Sequence, residues 1–125
     1  MVNDEIPSYD RRIDLSGLVK LSGGDKAIEL KYINNFLLSL PEQLNTIERA
    51  LDEGDANILC STLHLLKPQM QFYGLKDVFV EIKCAEEQLQ QNKEISPAVR
   101  EICDLIYKEI KFVCAEFELI KSNYI

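Results

Sequence analysis

Residues 55–74 read DANILCSTLHLLKPQMQFYG. Within them Leu59, Leu63, Leu66, Met70 and Tyr73 recur at intervals of three and four. That is the period of a helix with one buried face. Wound at about 100° per residue, these side chains and Thr62 fall within roughly 60° of one direction. The same three-and-four spacing runs through the rest of the chain, and nothing alternates with the period of a strand. The fold class read from the sequence is all-α.

Working outward, Gly54-Asp55 is a turn followed by a helix cap. Upstream, a long helix is expected over about residues 25–53. Its apolar side carries Ile28, Tyr32, Ile33, Phe36, Leu37, Leu40, Leu44, Ile47 and Leu51. Pro41 falls inside, but the pattern keeps its phase across it, which predicts one kinked helix. Asp14 caps a short helix over residues 15–21, stopped at Ser22-Gly23-Gly24. Downstream, Gly74 ends the quoted helix and another covers residues 76–91. Ser96 caps a last helix that has Pro97 at its first position and runs to about residue 121. Residues 1–12 read as a loose arm and 122–125 as a tail, leaving 13–121 as the domain. Short connections force antiparallel neighbours, so the expected architecture is an up-down-up-down four-helix bundle with the first short helix as a cap.

The whole chain has 125 residues, one domain's worth. Its 21 acidic against 14 basic residues give a net charge of -7. That balance, without a basic stripe, argues against nucleic acid and against anionic membrane as partners. No apolar run is long enough to span a bilayer, and residues 1–12 do not read as an export signal. Cys60, Cys84, Cys103 and Cys114 lack tight pair spacing and read as reduced thiols of a cytoplasmic protein. Cys60 and His64 lie four apart and could face one metal, but nothing else sits at ligand spacing, so neither metal nor cofactor is expected.

His64 is the only histidine. On the helical projection it points about 140° from the centre of the apolar stripe. Asn57, Cys60, Ser61, Lys67, Pro68 and Gln71 share its face. An exposed imidazole titrates near neutral pH and is nucleophilic when neutral. A phosphoryl group on a ring nitrogen would bring close to two negative charges, and Lys67, three residues on, is placed to meet them. Residues 56–76 contain no Asp or Glu, where about three or four would be expected at this chain's acidic content. Excluding carboxylates suits a site that must hold an anion. Leu65, Phe72 and Ile58 fall on the other flank, offering apolar contact to a neighbouring helix or to a partner.

The run His64-Leu65-Leu66-Lys67-Pro68, followed by Tyr73-Gly74-Leu75, resembles the signature of histidine-containing phosphotransfer (HPt) domains. That pattern is His, two mostly apolar residues, Lys, then Gly or Pro, with a Gly ten residues after the His. Ile13-Asp14-Leu15, Leu21 to Asp25, Phe36-Leu37 with Pro41, and Gly54-Asp55 match the family's order of features. The resemblance covers about residues 13–118. It implies a four-helix bundle in which His64 accepts the phosphoryl group on Nε2 and Lys67 stabilises the phosphoryl oxygens. Pro68, in place of the commoner glycine, keeps the surface low for a docking partner, and a local bend is expected there. Cys60, Ser61, Leu65, Pro68, Gln71 and Phe72 are the expected partner-binding residues. A polar residue of the next helix orients the ring in many members, and Lys83, Glu86 and Glu87 all lie in the right region. The implied partner is a response-regulator receiver domain or a hybrid sensor histidine kinase, which supplies Mg²⁺. The chain itself is then a monomeric carrier and not an enzyme.

Other readings fit less well. There is no phosphate loop, so Leu21 to Asp25 reads as a helix stop and cap. Cys60 and His64 could be called a catalytic dyad, but a convex helix surface offers no oxyanion donors. The serious rival is an HPt-like binding module that no longer carries phosphate. A second is a structural bundle that dimerises through Leu65 and Phe72.

Overall fold

The computed structural model describes residues 13–124, and the arm expected over 1–12 lies outside them. The described residues form five helices and no strand: α1 (Ser16–Ser22), α2 (Lys26–Glu53), α3 (Ala56–Phe72), α4 (Lys76–Asn92) and α5 (Pro97–Ser122). The boundaries follow local chemistry. Asp25 accepts hydrogen bonds from the backbone N–H groups of Ala27 and Ile28, which closes the open start of α2. Asp55 accepts from Ile58 at 3.1 Å, and Ser96 accepts from Val99 at 3.2 Å, with Pro97 at the first position of α5. Gly54, at φ 69°, ends α2 in the left-handed conformation that only glycine adopts without strain.

α1 begins one residue later than expected. Asp14 still supplies the acceptor, taking the Ser16 N–H at 2.9 Å, but from just outside the cap residue, Leu15. α2 is one helix through Pro41, and α3 is likewise one helix through Pro68. Both prolines are exposed. α4 runs one residue further than read, to Asn92, and stops at Lys93.

Each of the four longer helices packs on two others, α2 on α3, α3 on α4, α4 on α5 and α5 back on α2, while α1 packs on α2. Leu18, Ile33, Leu40, Leu59, Leu63, Leu66, Ile82 and Ile110 are wholly buried where they meet. Three rings pin α2, the end of α3 and α5 together. Phe36 and Tyr73 have centroids 4.7 Å apart, Tyr73 and Phe117 4.8 Å, and Phe36 and Phe117 5.0 Å. At the other side of this cluster Phe72 lies on Gly17 of α1, where an added Cβ would come within 3.3 Å of the ring. The residues read as a tail include Tyr124, which folds back and donates its hydroxyl to Glu29 at 2.8 Å.

Candidate functional site

α3 is anchored by its core face, with Leu59, Leu63, Leu66 and Met70 all fully buried. That fixes the rotation of the helix and turns His64 outward, its side chain 69% exposed. Lys67, one turn on, leans toward α4 and is three-quarters covered. On α4 the buried stripe is Val78, Ile82, Ala85 and Leu89, and Glu86 lies among them, itself buried.

Glu86 joins the two α3 side chains. Its Oε2 lies 2.6 Å from His64 Nδ1, and its Oε1 accepts from Lys67 Nζ at 2.7 Å. Burial pushes this carboxyl up. The hydrogen bonds from Lys67 and His64, with the charges behind them, outweigh burial and hold it below the usual glutamate range. An ionised carboxylate only accepts, so the proton of the neutral imidazole belongs on Nδ1. The lone pair is then on Nε2, at the outward end of the ring. A buried carboxylate with both oxygens engaged holds the ring's orientation in the way that second partners hold metal-bound or catalytic histidines.

This choice among Lys83, Glu86 and Glu87 is a structural result, for Lys83 and Glu87 are exposed. A signal for it exists in the sequence. Glu86 keeps helical phase with Val78, Ile82 and Leu89, and a charge in phase with an apolar stripe must find a buried partner. A second buried carboxylate, Glu29, carries the same signal beside Ile33 and Phe36. Its oxygens accept from Tyr124, Ser22 and Lys26. Tyr124's hydrogen bond, against burial and with help from Ser22 and Lys26, lowers its carboxyl.

Around His64, Ser61, Leu65, Pro68 and Gln71 are exposed, with Leu65 at 62%. Phe72 is partly exposed and stacks edge-on against Tyr73. Cys60 is half-buried, and burial together with the Glu86 charge raises its thiol. It is therefore a poor source of thiolate, which removes the chemistry a Cys60–His64 dyad would need. An apolar groove of about 520 Å³ runs beside the site between α2 and α3. Leu21, Tyr32, Phe36, Pro68, Phe72 and Tyr73 are among its walls. Among the described residues no three His, Cys, Asp or Glu side chains gather as a metal site, and no helix is long and apolar enough to cross a membrane.

The arrangement can present a nucleophilic nitrogen and one ammonium to an incoming electrophile. No family model, curated protein or solved structure matches the chain.

Proposed function

We propose that this chain is a histidine phosphotransfer protein of the HPt kind, a cytoplasmic carrier in a phosphorelay. The observation that carries the reading is the pairing of His64 Nδ1 with buried Glu86, which leaves Nε2 outward on a convex surface. A hydrolytic enzyme wants its nucleophile in a cleft with oxyanion donors, whereas a carrier wants it where a second protein's active site can close over it. The four longer helices are proposed to run antiparallel, up-down-up-down, with α1 as the cap. Their short connections and closed ring of packing support this.

In the proposed reaction a receiver domain brings an aspartyl phosphate and Mg²⁺. Nε2 of His64 attacks phosphorus in line, the P–O bond to the aspartate breaks, and the electron pair leaves on the aspartate oxygen. Catalysis is mostly positioning and charge neutralisation, supplied largely by the receiver. Lys67 is the cation this chain brings to the reaction, turning from Glu86 to the phosphoryl oxygens. The groove beside Pro68 and Phe72, with Leu65, Cys60, Ser61 and Gln71 around His64, is the proposed docking face for the receiver. The alternative, a binding module without phosphotransfer, shares that face and differs only in the chemistry.

The test is transfer of label. Receiver domains of the same organism are charged with a small phosphodonor and Mg²⁺, then mixed with this chain. Label is expected to move to it, to be acid-labile and base-stable, and to be absent from His64→Gln, which should fold normally. Binding without transfer from any receiver would leave the binding module as the better account. Lys67→Ala should fold and slow transfer about tenfold or more, the worth of one charge-assisted hydrogen bond in the transition state. An unchanged rate would remove Lys67 from the mechanism.

A further inference from the structure

We infer that Glu86 does more than orient the ring: its carboxylate keeps the proton on Nδ1 after Nε2 has been phosphorylated, and so holds His64 in the form that releases the phosphoryl group. The inference rests on the phosphotransfer reading of His64 and concerns the energetics of that site.

The balance of the step shows what is at stake. A neutral ring with its proton on Nδ1 attacks through Nε2 and becomes a phosphorylated ring that still bears that proton. The ring is then cationic. It can lose the Nδ1 proton to water, which leaves a neutral phosphoimidazole whose P–N bond is hard to break. Or it can keep the proton, and then an attacking carboxylate or water oxygen forms its bond to phosphorus while the P–N pair returns to Nε2. In the second course no proton enters or leaves the ring in either direction of transfer.

The site is built for the second course. Glu86 is 4% exposed, lies 2.6 Å from Nδ1, and is charged at neutral pH because Lys67 also donates to it. A carboxylate makes a charge-assisted hydrogen bond to the Nδ1 proton, stronger than the bond a neutral amide in the same place would make. Lys67 and, one turn before His64, the Cys60 thiol come from α3. Glu86 and Gln90 come from α4, the latter within hydrogen-bonding reach of Cys60, and Lys93 at the end of α4 adds a positive charge felt at Cys60. Lys67 is the cation that the phosphoryl group would draw away. Its departure leaves Glu86 with the ring as its remaining partner, which strengthens the hold on the Nδ1 proton at the moment it is needed.

The test separates this inference from the phosphorelay reading by using phosphoramidate, which phosphorylates exposed histidine without any protein partner. The intact chain and its Glu86→Gln variant are each phosphorylated on His64, freed of reagent, and followed by phosphorus NMR as label is lost to water between pH 6.5 and 8.5. The chain with Glu86 is expected to lose label at rates within about twofold across this range, and Glu86→Gln to slow about tenfold or more toward the alkaline end, as expected when a proton is no longer held. Parallel profiles for the two proteins would overturn the inference, whatever receivers do. A measurement that needs no variant stands beside it. Nitrogen NMR of the unphosphorylated chain should show the neutral ring with its proton on Nδ1, and a ring protonated on Nε2 instead would equally overturn it.

Discussion

His64 and Lys67 are legible from the residues alone: one histidine off the apolar stripe, a lysine one turn on, and a helix free of acids. Glu86 is legible only in part: its phase with Val78, Ile82 and Leu89 marks it as a charge on the buried stripe, but Lys83 and Glu87 lie in the same region, and the packing of α4 on α3 is what brings Glu86 to His64 and Lys67. Glu86 on α4 and Glu29 on α2, the latter held by Tyr124, Ser22 and Lys26, are both buried carboxylates, and both sit below their ordinary values in the folded chain. The sign of the consequence is fixed. A carboxyl that is more acidic folded than unfolded contributes stability above its unfolded value, about pH 4.3 for glutamate, and loses it as pH falls through the folded value. Urea midpoints should therefore drop between neutral pH and pH 3. The drop should be smaller in Glu29→Gln and in Glu86→Gln than in the unaltered chain. Equal drops in all three proteins would mean that neither carboxylate is linked to folding as described.

Three of the five helix starts are legible to a residue because their caps are written in side chains: Asp25, Asp55 and Ser96 each take a backbone N–H of the first turn. Ser96→Ala should cost about 1 kcal/mol, seen as a lower melting temperature with no loss of helix signal. The end of α4 lacks such a signal, and the reason is physical. Residues 90–95 hold no glycine, yet the helix closes through Lys93 at φ 62°, whose N–H reaches the Leu89 carbonyl at 2.9 Å. A side chain in that conformation crowds its own backbone, a cost of about 1–2 kcal/mol that glycine escapes. Lys93→Gly should raise stability by roughly 0.5–1 kcal/mol in urea titration, since part of the gain goes to the greater freedom of glycine when unfolded. A loss of stability there would mean that the lysine side chain makes a contact worth more than the strain.

Across the whole molecule, apolar periodicity predicts which residues are buried but not which helix each one meets. The ring cluster of Phe36, Tyr73 and Phe117 illustrates the gap. Each position is apolar in its own helix pattern, and nothing in the sequence says that residues 36, 73 and 117 share one site. Phe117 is fully buried, and Phe117→Ala should cost about 3–5 kcal/mol. Phe36 and Tyr73 of the cluster also line the groove beside His64, so a loosened cluster should weaken the proposed docking of a receiver while leaving chemical phosphorylation of His64 unaffected. The central claim is that the fold exists to hold one imidazole with its Nε2 outward for exchange with a receiver. The most direct measurement is phosphorus NMR of the chain after it has been labelled by a phosphorylated receiver. The account predicts a single phosphohistidine, formed on Nε2 of His64, at one group per chain. Label on the other ring nitrogen, on any other residue, or on none would contradict it.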